Sequence, residues 1–177
     1  QGHEKELSLT SNAQPALMAC GVASYRVLSK ITNQKLPELA NFVCGHSLGE
    51  YTAMTVAEVF SLNESAKLLR LRGKLMQKAV PVGKGAMAAL IGADITKTKK
   101  IIETVEPLGI CDIANDNADG QVVISGNLEA IEKAIDISRE FGVKRAVVLP
   151  VSAPFHCRLM QPAQDKMEEA INILEFK

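Results

Sequence analysis

Apolar residues near the start of the chain recur at helical spacing and predict a long first helix. Ser11 and Asn12 can cap its beginning, and Pro15 is tolerated in a first turn. The helix is expected to end at the Thr32-Asn33 break. The stripe that we expect to be buried consists of Leu17, Cys20, Ala23 or Ser24, Val27 and Ile31.

The next apolar run is short and leads into a glycine-flanked serine. Leu39–Cys44 fits a buried strand, and helical spacing resumes after Leu48. Between them lies Gly45-His46-Ser47-Leu48-Gly49, the Gly-X-Ser-X-Gly pattern of a nucleophile elbow. In such a tight turn both flanking residues must be glycine, because a Cβ would clash with the crossing backbone. The turn presents the Ser47 hydroxyl at a helix N-terminus, where backbone N–H groups, beginning with that of Leu48, can bind a negative oxygen. The alternative is a Gly/Ser loop without a catalytic role.

A further helical pattern follows, with Asn63 as a suitable cap. Its apolar face consists of Leu62, Ala66, Leu69, Gly73 and Met76. Its opposite face is basic and consists of Lys67, Arg70, Lys74 and Lys78. The pattern predicts an amphipathic helix with a solvated basic side.

Arg72 breaks the order of this helix. It lies two residues from Arg70, a separation of about 200° of helical rotation, and four residues from both Leu68 and Met76. Arg72 is therefore predicted to point toward the packed side, where a guanidinium needs a carboxylate or phosphate to offset its desolvation. That partner is either an internal Asp or Glu in a structural ion pair, or a substrate carboxylate held by two parallel hydrogen bonds. Spacing alone leaves both interpretations open.

After Gly83 and Gly85, which we expect to form a hinge, the pattern changes to short strands that alternate with helices. Asn115–Gly120 is rich in turn formers and is predicted to be a hairpin-like loop. The order β-α-β-β-α-β is that of a ferredoxin-like fold. The predicted strands are Gly85–Gly92, Gly109–Ala114, Gln121–Ser125 and Lys144–Leu149, and the predicted helices are Thr96–Val105 and Leu128–Phe141.

A proline-bounded loop that begins at Pro150 carries His156 ahead of a last predicted helix, Leu159–Ile173. A serine nucleophile needs a base to remove its proton, and an unperturbed histidine titrates near neutral pH. Of the three histidines His156 is the best candidate. His3 lies in the polar start of the chain, and His46 lies inside the elbow, where neighbours of the nucleophile point away from it. A structural role for His156 is the alternative.

Length, composition and charge indicate a compact domain without a strongly charged surface. With 177 residues, 47% of them hydrophobic, the chain can bury a substantial core as one domain with a subdomain. Twenty basic and twenty acidic residues give no net charge, which argues against binding to nucleic acid or to an anionic membrane. No apolar run has the length of a membrane span, and the polar residues 1–10 do not form a signal peptide.

The cysteines are scattered and form no Cys-X-X-Cys pair. Neither a disulfide framework nor a zinc site is predicted, and we expect reduced thiols in a cytoplasmic protein. The four cysteines are Cys20, Cys44, Cys111 and Cys157.

Several motifs, taken together, resemble one enzyme family. They are Asn12-Ala-Gln-Pro-Ala-Leu17, Gly45-His-Ser-Leu-Gly-Glu-Tyr51, Leu71-Arg-Gly-Lys-Leu-Met-Gln77, Gly120-Gln-Val-Val-Ile-Ser-Gly126 and Pro150-Val-Ser-Ala-Pro-Phe-His156. In this order, and over essentially the whole chain, they resemble the malonyl-CoA:acyl carrier protein transacylases. Ordered motifs of this number are far more specific than one Gly-X-Ser-X-Gly pattern.

The resemblance implies an α/β fold in two parts and a role for each candidate residue. Residues 1–82 and 150–177 would form an α/β-hydrolase-like core that carries the elbow, and residues 83–149 an inserted ferredoxin-like subdomain. Ser47 would attack the thioester of malonyl-CoA, with His156 taking its proton. Arg72 would bind the malonyl carboxylate, the Leu48 backbone N–H would be an oxyanion donor, and His46 is a further candidate substrate-binding residue.

The resemblance also implies the partners. Malonyl-CoA would load Ser47, and the phosphopantetheine thiol of acyl carrier protein would then accept the malonyl group in a ping-pong reaction that supplies fatty acid synthesis. No metal or other cofactor, no nucleic acid and no membrane is expected, and the enzyme is expected to be a cytoplasmic monomer. A buried guanidinium left unpaired by an acetyl group would favour malonyl over acetyl.

The sequence departs from the family pattern at both ends. Family members begin with a strand whose glutamine helps to form the oxyanion hole, and they continue past the last helix with strands and an Asn/Gln region that orients the histidine. A polypeptide that truly lacked these segments would be expected to have exposed core edges, low stability and weak or no activity. The alternatives to the transacylase are a polyketide-type acyltransferase, a serine thioesterase or esterase, and a noncatalytic fragment.

Overall fold

The computed structural model of the protein describes residues 2–174, except for the side chain of Lys5, and confirms the α/β class. The predictions for Gln1 and for residues 175–177 lie outside this range. None of the helices in the range combines the length and the apolar composition that a membrane crossing requires. The α-helices are α1 (Glu4–Leu7), α2 (Thr10–Thr32), α3 (Leu36–Leu39), α4 (Gly49–Val56), α5 (Leu62–Ala79), α6 (Ile95–Val105), α7 (Leu128–Ile137) and α8 (Gln161–Asn172). The strands are β1 (Gly85–Ile91), β2 (Cys111–Ala118), β3 (Gln121–Asn127) and β4 (Arg145–Val148), and 3₁₀ turns span Glu106–Leu108, Ser138–Phe141 and Arg158–Met160.

The described residues divide into two compact units. The first takes residues 2–74 and 166–174, and the second takes Leu75–Asp165. The second unit extends beyond the predicted subdomain of residues 83–149 on both sides. Each unit has a hydrophobic core of its own.

The core of the first unit is built on one face of α2. Residues four apart lie on the same side of a helix, and the buried residues of α2 follow this spacing. Met18 and Val22 pack with Leu69 of α5, and Leu48 and Tyr51 lie against this cluster. The buried residues of α2 are Thr10, Gln14, Met18 and Val22.

The stripe of α2 that the sequence predicted to be buried is exposed. Leu17 and Val27 are each 57% exposed, Ile31 is 78% exposed, and Cys20 is exposed as well. The prediction was wrong because α2 carries apolar residues on two sides, and the core cluster of this unit forms on the side of Met18. Periodicity detects an apolar face but does not decide which of two such faces is covered.

The end of α2 agrees with the prediction, whereas its beginning does not. Asn33 adopts the left-handed conformation directly after Thr32, and its N–H donates to the Ser29 carbonyl. Leu9 occupies the N-cap position, so Ser11 and Asn12 lie inside the helix. The Asn12 side chain donates backward to the Glu6 carbonyl at 2.7 Å instead of capping the helix.

Helices α2 and α5 cross with their backbones in direct contact at Gly73. A Cβ added to Gly73 would lie 2.4 Å from the Ser11 Cα. Pro15 has no N–H, so the helical donor to the Ser11 carbonyl is missing, and Arg70 Nη1 donates to that carbonyl at 2.9 Å instead. This crossing brings the middle of α5 beside the first turns of α2.

Because the two backbones touch at this crossing, a methyl group added at Gly73 should strongly destabilise the fold. Gly73→Ala should lower the free energy of unfolding by roughly 2–4 kcal/mol, because the two backbones must separate to admit the Cβ. Alanine has the higher helix propensity, so propensity alone predicts the opposite sign. Urea denaturation measures the change, with Lys74→Ala at the adjacent exposed position as the control that should stay within about 0.5 kcal/mol of wild type. A Gly73→Ala protein as stable as this control would contradict the crossing.

The predicted strand Leu39–Cys44 is absent. Leu39 ends α3, and residues 40–45 form no strand. Phe42 is 93% exposed and Val43 is 41% exposed. A strand needs a neighbouring strand to satisfy its backbone groups, and the strands within residues 2–174 all lie between Gly85 and Val148 and pair with one another.

The cap of α5 is Ser61 rather than the predicted Asn63. The Glu64 N–H donates to the Ser61 hydroxyl at 3.2 Å, and the Ser61 N–H donates to a Glu64 carboxylate oxygen at 2.7 Å. This reciprocal pair is a capping box, which needs Ser or Thr followed three residues later by Glu or Gln. The helix therefore starts at Leu62, earlier than a cap at Asn63 allows.

The second unit contains a four-stranded antiparallel sheet in the order β2-β3-β1-β4. The element order β-α-β-β-α-β agrees with the sequence pattern. Alternate residues of β1 point to opposite faces of the sheet. Ala88 and Leu90 join the core formed with α6 and α7, whereas Met87 and Ala89 pack on the other face with Phe155.

The hairpin between β2 and β3 is tighter than predicted. Most of the expected loop Asn115–Gly120 belongs to β2, which runs to Ala118. Two register shifts interrupt its pairing with β3, between Ile113 and Asn115 and between Asp116 and Ala118. A bulged edge strand accommodates turn-forming residues such as these, because not every residue has to pair.

Candidate active site

The turn at Ser47 has the geometry of a nucleophile elbow. Ser47 adopts a left-handed φ of 54°, which is unusual for a residue other than glycine. The turn closes through a hydrogen bond from the Gly49 N–H to the His46 carbonyl at 2.8 Å, and α4 starts at Gly49 with Leu48 as its N-cap. The serine therefore lies immediately before the N-terminus of a helix.

Only one of the two elbow glycines is required by contacts within the described residues. A Cβ on Gly45 would lie 1.9 Å from the Gly49 carbonyl carbon and 2.4 Å from the Glu50 nitrogen. A Cβ on Gly49 would meet nothing within 4 Å. The expectation that both glycines prevent a clash is thus correct for Gly45 and wrong for Gly49.

The guanidinium of Arg72 lies beside the serine, on the packed side of α5 as predicted. Its Nη2 donates to Ser47 Oγ at 3.1 Å, and its Nη1 donates to Gln14 Oε1 at 2.6 Å. Its Cζ lies 5.8 Å from the centre of the Tyr51 ring, which in turn stacks on Phe60. These contacts place a half-buried cation against the nucleophilic oxygen.

The groups in contact with Arg72 are neutral. Within the described residues no Asp or Glu carboxylate lies within ion-pair distance of Arg72, so the internal ion pair considered for Arg72 is not formed there. Burial lowers the pKa of Arg72, and the nearby Tyr51 and Glu50 partly oppose this shift. An arginine remains protonated at neutral pH despite such a shift. The site therefore holds a positive charge that a substrate carboxylate could pair with.

Gln14 was not among the predicted site residues, although it lies in the Asn12–Leu17 motif. It is only 3% exposed, and its Nε2 donates to Thr10 Oγ1 at 2.9 Å. A polar residue on a helix face shared with Met18 and Val22 signals a buried hydrogen-bonding role. That signal was missed because the opposite side of α2 was taken as the buried one.

His46 and Leu48, the other candidates at the elbow, lie directly on either side of Ser47. His46 is exposed, and its carbonyl closes the turn. Leu48 is half-buried and packs with its neighbours against the Met18 cluster. The backbone of Leu48 thus lies at the start of α4. The first N–H groups of a helix have no carbonyl partner within the helix.

His156 belongs to the second unit, where it lies on the loop between β4 and α8. It is exposed and has a left-handed φ of 60°. Gln77 Nε2 donates to the Ser152 carbonyl at 3.1 Å and fixes the start of this loop.

The end of the His156 loop is held to strand β2 by an ion pair. The Arg158 backbone N–H donates to Asp112 Oδ2 at 2.8 Å, and its Nη2 lies 2.9 Å from Asp112 Oδ1. The Asp112 hydrogen bond also raises the pKa of Arg158. One carboxylate thereby fixes both the backbone and the side chain that follow the histidine.

This anchor predicts a local effect of removing the carboxylate. Asp112→Ala should raise amide exchange across residues 153–160 by about tenfold, since a hydrogen bond to a charged group contributes on the order of 1.5 kcal/mol. Hydrogen–deuterium exchange read by mass spectrometry measures this change, with Asp116→Ala at an exposed position of the same strand as the control. Unchanged exchange in Asp112→Ala would show that the loop is held by other contacts.

Comparison with known families decides where the chain belongs. The acyl transferase domain family matches residues 1–175. The chain is a member of the acyl transferase domain family. Within the described residues of this acyl transferase chain, no group of three or more His, Cys, Asp or Glu side chains is placed to hold a metal ion.

Curated relatives of this acyl transferase chain include two bacterial enzymes. Malonyl CoA-acyl carrier protein transacylase of Bacillus subtilis is 41% identical over 178 residues, a match that takes in 100% of this chain and 55% of the relative. The protein of the same name from Escherichia coli K12 is 45% identical over 176 residues, which cover 99% of this chain and 56% of the relative. The chain thus spans about half the length of the curated relatives it matches.

Solved structures agree with this family assignment. An acyl-carrier-protein S-malonyltransferase from Bartonella henselae matches with a TM-score of 0.94 and 50% identity, over 100% of this chain and 56% of that chain. A malonyl transacylase in complex with a type II polyketide synthase acyl carrier protein matches with a TM-score of 0.88 and 42% identity, over the same shares of the two chains. Each of these matches extends over this acyl transferase chain and over about half of the solved chain.

Proposed function

We propose that the chain performs the transfer of a malonyl group from malonyl-CoA to the phosphopantetheine thiol of acyl carrier protein, through a malonyl-serine intermediate. The observation that carries this proposal is the hydrogen bond from Arg72 to Ser47 Oγ. This bond places the Arg72 guanidinium beside Ser47, the serine of the elbow. Among the described side chains, no carboxylate pairs with this guanidinium. An acyl group that ends in a carboxylate fits such a site.

In the first half of the reaction, Ser47 Oγ forms a bond to the thioester carbonyl carbon, and the bond from that carbon to the coenzyme A sulfur breaks. The Ser47 proton passes to His156 and then to the departing thiolate, so coenzyme A leaves as the thiol. The role of His156 rests on the family resemblance. The backbone N–H of Leu48 donates to the carbonyl oxygen as it becomes negative, and His46 borders the substrate.

In the second half, the phosphopantetheine thiol of the carrier attacks the malonyl-serine carbonyl. His156 takes the thiol proton and returns it to Ser47 Oγ as the serine bond breaks. The reaction is ping-pong and needs no metal or other cofactor. The bound malonyl carboxylate accepts two hydrogen bonds from the Arg72 guanidinium, because the two planar groups match in geometry.

We further propose a domain organisation and a cellular location for the enzyme. We place the elbow in an α/β-hydrolase-like core of residues 1–82 and 150–177, with residues 83–149 as an inserted ferredoxin-like subdomain. The sheet order β2-β3-β1-β4 supports the insertion, because a βαββαβ unit with helices on one face forms this sheet. The enzyme acts as a cytoplasmic monomer that supplies malonyl groups to fatty acid synthesis, without contact to nucleic acid or membrane.

A transacylase and a thioesterase differ in the group that accepts the malonyl unit, which is the carrier thiol in the first and water in the second. The protein is loaded with radiolabelled malonyl-CoA, freed of excess thioester, and mixed with holo acyl carrier protein or with buffer alone. We expect label on the carrier within the first time points and slow release to water, with apo carrier lacking the phosphopantetheine arm as the control. Rapid release of malonate in buffer would favour a thioesterase instead.

A further inference from the structure

We propose that Gln14 sets the preference for an acidic acyl group, because its buried carboxamide holds the Arg72 guanidinium beside Ser47 without neutralising it. This inference rests on the proposed function and concerns the same site. The role assigned to Gln14 is to position Arg72, which donates to its carboxamide oxygen, and to preserve the charge of that side chain.

The contacts of Gln14 fix the orientation of its carboxamide. Its Nε2 donates to Thr10 Oγ1 at 2.9 Å, which leaves its Oε1 toward Arg72, where it accepts from Nη1 at 2.6 Å. Gln14 is 3% exposed and Thr10 is 8% exposed, so water competes little for these hydrogen bonds. A reversed carboxamide would place an NH₂ group against the guanidinium, which offers only donors.

Three consecutive hydrogen bonds link the side chains of Thr10, Gln14, Arg72 and Ser47. They hold the Arg72 guanidinium within hydrogen-bonding distance of Ser47 Oγ. The crossing of α2 and α5 at Gly73 keeps Arg72 close to the first turns of α2, because Gly73 lies next to Arg72 and touches Ser11. Tyr51 supports the guanidinium from a third side. The position of Arg72 therefore depends on contacts outside its own helix.

The choice of an amide at position 14 matters for charge. A carboxylate in this place would pair with Arg72 permanently, and the guanidinium would then gain little from a substrate carboxylate. A neutral amide accepts a strong hydrogen bond and leaves the positive charge unmatched. A guanidinium has more N–H donors than the bonds to Gln14 and Ser47 use, so a substrate carboxylate can bind in addition.

Gln14→Glu tests this role with almost no change of shape. Thr10 can still contact the new side chain, because a hydroxyl rotates to donate to a carboxylate oxygen. The substitution changes the charge beside Arg72 and little else in the packing. Asn12→Asp is the matched control, since it adds the same charge on the same helix beside Arg70, which contacts Asn12.

The first readout is the initial rate of acyl-enzyme formation from malonyl-CoA and from acetyl-CoA, measured by intact mass on the full polypeptide. We expect Gln14→Glu to lower the malonyl-to-acetyl rate ratio by roughly 100-fold, with little loss of the acetyl rate. Asn12→Asp should keep the wild-type ratio. A merely structural role of Gln14 would lower both rates together.

The outcomes separate this inference from the proposed function. A Gln14→Glu protein with the wild-type ratio overturns the role of Gln14 and leaves the proposed function standing. A wild-type protein that forms no adduct with either thioester overturns the proposed function, and the second measurement then decides the role of Gln14.

The second measurement needs no acyl transfer. The Arg72 side-chain Nε–H signal is followed by NMR during titration with malonate and, as the uncharged counterpart, malonamide. We expect malonate alone to shift this signal in wild type, and Gln14→Glu to require at least about tenfold more malonate. Equal responses of the two proteins to malonate would overturn the inference.

Discussion

Gly45→Ala is expected to destroy the elbow, because the added methyl group would overlap backbone atoms. The new Cβ would lie 1.9 Å from the Gly49 carbonyl carbon and 2.0 Å from its oxygen, both backbone atoms at the start of α4. Backbone cannot move aside as a flexible side chain does, so the free energy of unfolding should fall by about 4 kcal/mol or more. Urea denaturation followed by circular dichroism measures the loss.

Gly49→Ala is the matched control for this substitution. Its Cβ meets nothing within 4 Å, and Gly49 is the first residue of α4, where alanine is favoured over glycine. We expect this variant to be as stable as wild type or more stable by up to about 1 kcal/mol. Equal stability of the two alanine variants would mean that the close approach at Gly45 does not exist in solution.

Arg72→Leu is expected to remove the preference for malonyl while Ser47 remains able to react. The substitution keeps an apolar stem beside Tyr51 and deletes the guanidinium that donates to Ser47 Oγ. Loss of a partly buried charge partner costs about 3–4 kcal/mol, so loading from malonyl-CoA should fall roughly 10²–10³-fold. Loading from acetyl-CoA, which has no carboxylate, should change far less.

Arg70→Leu supplies the control for charge on the same helix. Arg70 lies two residues before Arg72 in the sequence and on the other side of α5. Its side chain is exposed and donates to the Ser11 carbonyl. Its removal should leave the ratio of malonyl to acetyl loading unchanged. If both arginine variants lose malonyl loading to the same extent, net charge and not the guanidinium at Ser47 determines the preference.

Features that depend on local geometry could be predicted from the sequence. The elbow follows from a serine between glycines, and the direction of Arg72 follows from its rotation relative to Arg70. The order of strands and helices between Gly85 and Val148 follows from short alternating runs. In each case the relevant atoms are close in sequence, so the residue pattern contains the constraint.

Features that depend on what covers a surface could not be predicted in the same way. The buried side of α2 is set by α5, which contributes Leu69 to the cluster around Met18 and is distant in sequence. The strand predicted at Leu39–Cys44 fails because pairing is a property of two segments, whereas the pattern describes only one. Gln14 was missed for the same reason, since the pattern along α2 indicated the opposite side of this helix as the buried one.

The edge strand β2 shows a different limit. Asn115 and Asp116 are typical turn residues, yet they lie in a strand whose pairing with β3 contains register shifts. Turn propensity reflects the backbone conformations that a residue can adopt. A bulged edge strand accommodates many of the same conformations. Composition alone therefore placed the hairpin too early.

The most direct test of the central claim is the mass of the intact protein after incubation with malonyl-CoA. Wild type should gain the mass of one malonyl group, peptide mapping should place it on Ser47, and Ser47→Ala should gain nothing. Circular dichroism of Ser47→Ala should match wild type, which shows that the loss is chemical and not structural. An adduct that persists in Ser47→Ala, or a wild-type protein that takes up no malonyl group, would contradict the account.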